Sequence, residues 1–179
     1  MNRRQLEHVI RAAATIAGDR EIVVIGSQAI LGRHPDAPRE LCVSADADVY
    51  PRNHPERADL IDGSIGELSP FHEAYGYYAQ GVGPRTAVLP AGWEQRLIRV
   101  ETEAGAGLCL EPHDLVVSKY VAGREKDRDY TRAALRHGLV DEATLLERLD
   151  RTPLETEQRD RIRKQIRADA AVRSSGGRG

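Results

Sequence analysis

The sequence predicts a mixed α/β body with a helical C-terminal third. Three observations carry that reading. A β-branched run, Glu21-Ile22-Val23-Val24-Ile25, leads straight into Gly26-Ser27. The stretch from Ser44 to Tyr50 alternates polar and apolar residues with period two, and from Glu111 onward only helical patterns remain. At 179 residues the chain is long enough for one domain with a real core.

Residues 3–17 place Leu6, Val9, Ile10, Ala13 and Ile16 at helical spacing, which predicts an amphipathic helix ending near Gly18. The run at 21–25, bounded by Asp19-Arg20 and Gly26, reads as a buried strand. Gly26 to Leu31 is then a tight strand-to-helix turn, and His34-Pro35-Asp36-Ala37-Pro38 is a loop. In the next strand, period two puts Ser44, Asp46 and Asp48 on one face and Ala45, Ala47 and Val49 on the other. Ala58 to Ile65 and Pro70 to Tyr75 read as short helices. Three strands at 77–82, 96–102 and 107–110, separated by Gly/Pro-rich turns, are expected as an antiparallel flank. Pro112 sits at a first-turn position ahead of Leu115, Val116 and Tyr120; a break at Gly123 precedes renewed helix through 130–135 and 145–149. Residues 155–173 are mostly charged, and 174–179 are expected as a disordered tail. No repeat or linker is visible. The expected organisation is a core over 1–135 with a helical appendage over 136–173 packed on it.

Composition excludes several classes. No apolar run approaches the ~20 residues needed to span a bilayer, and Met1-Asn2-Arg3-Arg4-Gln5 opens an amphipathic pattern instead of a signal-peptide core, so a cytoplasmic protein without membrane attachment is expected. Cys42 and Cys109 form no Cys-x-x-Cys pair; both are expected as small buried hydrophobes. The six histidines, His8, His34, His54, His72, His113 and His137, give neither a zinc pattern nor a Ser-His-Asp order, and read as surface or capping residues. Net charge is −2, but residues 151–179 carry eight Arg/Lys against four acids, net +4, leaving the first 150 residues at −6. Such a basic run reads either as a solvated helix face or as a surface for a polyanion such as RNA.

Two clusters could carry chemistry. Gly26-Ser27 after a buried strand offers backbone N–H groups and a hydroxyl to a phosphate, and Asp46 and Asp48 on one strand face can hold a divalent metal against phosphate oxygens. Each feature alone also reads as an ordinary turn and an ordinary polar strand face; their order makes one phosphoryl-handling layout. In the second cluster, Asp114 to Asp129, Lys119 either reaches a triphosphate as a point charge or snorkels off a buried helix. Asp127 either faces the same chemistry or pairs locally with Arg124 and Arg128. Trp93 reads as a base-stacking platform or as a hydrophobic plug, and Tyr75, Tyr77 and Tyr78 as strand residues of mixed burial.

Gly26-Ser27, Ser44-x-Asp46-x-Asp48 and Lys119-x-x-x-x-Arg124-x-x-Asp127-x-Asp129 together resemble the motifs of the minimal nucleotidyltransferase superfamily, in the branch of AbiEii-like and MenT-type toxins. The segment Leu89-Pro90-x-Gly92-Trp93-Glu94-x-Arg96-Leu97 is similar to a bacterial branch of uncharacterised nucleotidyltransferases, and the likeness covers roughly residues 20 to 135. The resemblance implies a mixed-sheet core flanked by helices. It implies that Gly26 and Ser27 cradle the NTP phosphates, with Ser44 and Arg124 also nucleotide-binding. It further implies Asp46 and Asp48 as ligands of Mg²⁺, for which Mn²⁺ can substitute, with Lys119 as a phosphate contact and Asp127 as the fourth-motif carboxylate. A third metal-binding carboxylate, common in polymerase-type members, has only Glu101 and Glu103 as candidates here.

The implied reaction transfers NMP from an NTP to an acceptor hydroxyl, releasing pyrophosphate. The acceptor is expected to be a tRNA 3′ end, met by the basic C-terminal helix, or a protein, and the chain is expected to act as the toxin of a toxin–antitoxin system with a cognate antitoxin as partner. Two alternatives stay open: a non-catalytic NTP-binding module of the same fold, and a small-molecule nucleotidyltransferase of the antibiotic-modifying kind.

Overall fold

The computed structural model describes residues 1–176, with side chains through Val172. It divides into two compact units. The first comprises Met1–Thr86 and Arg96–Glu111; the second comprises Ala87–Gln95 and the helical part from Pro112.

The first unit opens with α1 (Arg3–Ala17), started by a reciprocal cap in which the Asn2 side chain accepts from the Gln5 N–H while Gln5 Oε1 accepts from the Asn2 N–H. It ends where Gly18 turns left-handed at φ 59°. β1 (Glu21–Val24) leads into a 3₁₀ turn (Ser27–Ala29) and a four-residue helix α2 (Ile30–Arg33), the strand-to-helix turn expected there. β2 (Asp46–Pro51) follows, then α3 (Ala58–Ile65) and α4 (Pro70–Tyr75), both with the limits expected, and β3 (Tyr78–Gly81). Tyr75 therefore belongs to a helix and not to a strand. β4 (Ile98–Glu101) and β5 (Ala106–Cys109) complete the sheet, in the order β3-β2-β1-β5-β4.

The sheet is mixed. β1 runs antiparallel to β2 and parallel to β5, β4 is antiparallel to β5, and β3 is parallel to β2. The antiparallel expectation therefore holds for β4/β5 and fails for β3. A parallel neighbour needs a crossover connection, and α3 and α4 supply it. The core gathers Leu6, Ile10, Ile22, Val24, Ile61 and Leu110, all buried. Cys109 belongs to it, its thiol pushed up to about 12 by burial. Cys42 does not: it is only half-buried in the loop ahead of β2, a correction to the sequence reading. Buried Asp19 ties the ends of β1 and β2 together, accepting from the Glu21 and Asn53 N–H groups at 3.0 and 2.7 Å.

The second unit contains α5 (Pro112–Ala122), α6 (Glu125–Arg136), α7 (Glu142–Asp150) and α8 (Thr156–Gly176). Leu115, Leu135, Leu145, Leu149, Ile162 and Ile166 fill its interior. Two buried acids cross-link the helices. Asp114 on α5 meets Arg148 Nε on α7 at 3.3 Å, and Asp169 on α8 accepts from Tyr120 Oη at 3.0 Å and from Arg132 Nε at 3.1 Å. A 3₁₀ turn at Trp93–Arg96 replaces the start of the strand expected from 96; half-buried Trp93 lines a shallow pocket with Leu89, Arg151 and Thr152. α8 carries helix through Gly176; of the tail expected at 174–179, residues 177–179 lie outside the described residues. No described helix is long and apolar enough to cross a membrane.

Candidate active site

In the first unit the structure brings the Gly-Ser turn and the aspartate pair together. Gly26 is buried at the head of the 3₁₀ turn, and a Cβ built there would lie 2.8 Å from Asp48 Cγ and 2.9 Å from Asp48 Cβ. Only glycine lets the turn's backbone approach the carboxylate this closely. The Ile25 N–H also donates to the Asp48 carbonyl at 3.0 Å, locking the end of β1 to β2. Ser27, half-buried, follows as the first residue of the turn.

Asp46 and Asp48 share one face of β2, both half-buried, while Ala47 and Val49 on the other face are buried. The period-two pattern thus does in the structure what it does in the sequence. Ser44, just ahead of β2, donates its hydroxyl to Asp46 Oδ1 in a short contact. Gln28, missed by the sequence reading, is fully buried, and its Nε2 donates to the Ser44 carbonyl at 3.1 Å. It therefore fastens the turn to the loop that carries Ser44; a glutamine set between Gly26-Ser27 and the apolar Ala29-Ile30-Leu31 was the available signal.

The parallel register adds two further residues to the face. Tyr78 pairs with Asp46 and Gln80 with Asp48, so both project from the carboxylate side of the sheet. Burial first, and then the charges of Asp46, Glu67, Asp48 and Asp62, push the Tyr78 phenol up, so the group stays protonated at neutral pH. Tyr78 and Gln80 occupy the strand next to the aspartates, whereas Glu101 lies on β4, at the opposite edge of the sheet. Glu101 there pairs with Arg99.

Among the described residues no group of three or more His, Cys, Asp or Glu is arranged around one point. Two same-face carboxylates beside a glycine turn nevertheless fit Mg²⁺, which takes one or two carboxylates and completes its octahedron with substrate phosphate oxygens and water.

In the second unit the structure brings Lys119, Arg124 and Asp127 together. Asp127 is 1% exposed. Its Oδ1 lies 3.3 Å from Lys119 Nζ and its Oδ2 2.6 Å from Arg124 Nε. Burial works against the charged carboxylate, but the Arg124 hydrogen bond and the Lys119 charge outweigh it and hold Asp127 below the usual carboxylate range. Lys119 also lies over the Tyr130 ring, 5.5 Å from its centroid. Both oxygens of Asp127 are thus engaged by cations, while Asp129, two residues on, is exposed.

No curated protein and no solved structure gives a significant match to the chain. A family model does, and it covers residues 4–171, nearly the whole chain. With a glycine turn set against a same-face aspartate pair, the chain belongs to the family described as "Nucleotidyltransferase of unknown function (DUF6036)".

Proposed function

We propose that this protein is a Mg²⁺-dependent nucleotidyltransferase that moves a nucleoside monophosphate from an NTP to an acceptor hydroxyl. The observation that supports this most is the closeness of the Gly26 backbone to Asp48, with Asp46 on the same face. A phosphate chain lying on Gly26-Ser27 would have its α-phosphoryl beside both carboxylates. Asp46 and Asp48 are the residues that would hold Mg²⁺, or Mn²⁺ in its place. The ion supplies charge neutralisation at the α-phosphoryl and makes a nearby hydroxyl more acidic.

The acceptor oxygen bonds to the α-phosphorus, the bond from that phosphorus to the α–β bridging oxygen breaks, pyrophosphate leaves, and the hydroxyl proton passes to solvent. The sequence resemblance supports Lys119, on its own unit, as a contact for phosphate charge. Asp127, with both oxygens taken by cations, acts as a positioning residue that keeps Lys119 and Arg124 in place.

The acceptor we favour is an RNA 3′ end, such as that of tRNA. On α8, Arg161, Lys164 and Arg167 are exposed and suited to phosphates, while Arg159 and Arg163 are engaged within the unit. The sequence resemblance further supports a role as a cytoplasmic toxin with an antitoxin partner.

The test incubates the protein with Mg²⁺ and each α-labelled NTP in turn, with bulk tRNA or a cell protein extract. Label on RNA is expected with the wild type, and none with Asp46→Ala or Asp48→Ala. Wild-type rates in both variants would remove the basis of the reading.

A further inference from the structure

β2 lies between β1 and β3, so the aspartate pair has two flanks. The β1 flank carries the Gly26-Ser27 turn, and the β3 flank carries Tyr78 and Gln80 in register with Asp46 and Asp48. Phosphoryl transfer needs the attacking and leaving oxygens roughly in line across phosphorus. With the triphosphate on Gly26-Ser27, as proposed above, β3 is the flank of the aspartates left open to an attacking hydroxyl.

What stands there suits one kind of acceptor. Tyr78 is half-buried on an edge strand, and its ring is braced by the His72 ring, 4.6 Å away centroid to centroid. His72 is itself held, since its Nδ1 accepts from the Leu68 N–H at 3.1 Å and its own N–H donates to Ser69 Oγ at 3.2 Å. Leu68 has the only positive φ of any non-glycine residue among those described, 62°, while the residue is 82% exposed. Backbone strain is thus retained at a point that orients the brace behind Tyr78. An aromatic face held in this way stacks on any nucleobase, and the neighbouring amide both donates and accepts hydrogen bonds.

We infer that Tyr78 is the platform on which the terminal base of an RNA acceptor stacks, with the Gln80 amide contacting the same nucleoside. The inference rests on the nucleotidyltransferase reading, and its test reads binding, so that the two can fail separately. The full chain is titrated into a short 5′-fluorescent oligoribonucleotide with a free 3′ hydroxyl, followed by anisotropy, and separately with Mg²⁺ and NTP by calorimetry. Tyr78→Ala should weaken RNA binding about tenfold or more, Tyr78→Phe should stay within about twofold of wild type, and NTP binding should be unchanged in both. Equal RNA binding by all three proteins, no RNA binding by the wild type, or a loss of NTP binding in Tyr78→Ala would each overturn the assignment. The transferase reading is decided independently, by pyrophosphate release and its dependence on Asp46.

Discussion

Gly26 and Asp48 compete for the same space: a methyl group on residue 26 would lie 2.8 Å from Asp48 Cγ and 2.9 Å from its Cβ. Gly26→Ala therefore has to displace Asp48, and because the obstacle is a side chain on an open strand face, the fold should survive. A misplacement of about 1 Å at a reacting centre costs on the order of 10²-fold in rate. Transfer from α-labelled NTP should fall by about that factor with the circular dichroism spectrum and melting temperature close to wild type. Wild-type turnover in this variant would show that Asp48 tolerates the shift and does not hold the reacting group.

The ion pairs at Asp127 carry a pH dependence whose sign is fixed. Its folded pKa is depressed below the unfolded value near 3.8, so its stabilisation is fully present above about pH 4 and is lost as pH falls through the folded value. Asp127→Asn removes the buried carboxylate charge that Lys119 and Arg124 share. Breaking a buried pair in this way costs about 3 kcal/mol. Urea unfolding at pH 7 should show that loss, and the difference between wild type and variant should shrink on acidification. A constant difference from pH 7 down to pH 2 would rule out the assigned pairing.

Much of this site was legible in the sequence because its elements are local. Period two alone places Asp46 and Asp48 on one face, and α3 and α4 fall within the limits that Pro70, Gly66 and Gly76 set. What escaped depends on partners far along the chain. Tyr78 meets Asp46 only because α3 and α4 return β3 parallel to β2, and strand direction leaves no local trace in so short an apolar run. Arg124 and Asp127 are neighbours by helical spacing, but the approach of Lys119 depends on how α5 and α6 fold back across Gly123. By sequence Arg163 is one more cation in a basic run, whereas in the structure Asp160 and Asp150 hold it.

That distinction within α8 gives a salt-dependence prediction. Arg161, Lys164 and Arg167 are exposed, so neutralising all three to Gln should weaken RNA binding and reduce the slope of log K against log salt by about 2, at roughly 0.7 per single-strand phosphate contact. Arg163→Gln should change that slope little and lower stability instead. An unchanged slope in the triple variant would remove α8 from the RNA-binding surface.

Leu68 offers a test of strain against stability. A β-carbon in the left-handed region costs about 1–2 kcal/mol, and the exposed leucine side chain recovers little of that by packing. Leu68→Gly relieves the clash but also loosens the unfolded chain, which offsets part of the gain. The variant should be more stable than wild type by up to about 1 kcal/mol in urea unfolding, with the Leu68 N–H still available to His72. Its RNA affinity should fall slightly, because a glycine at the bend lets the His72 brace and the Tyr78 ring wander. A clear loss of stability would mean that the Leu68 side chain makes a packing contribution larger than its exposure implies.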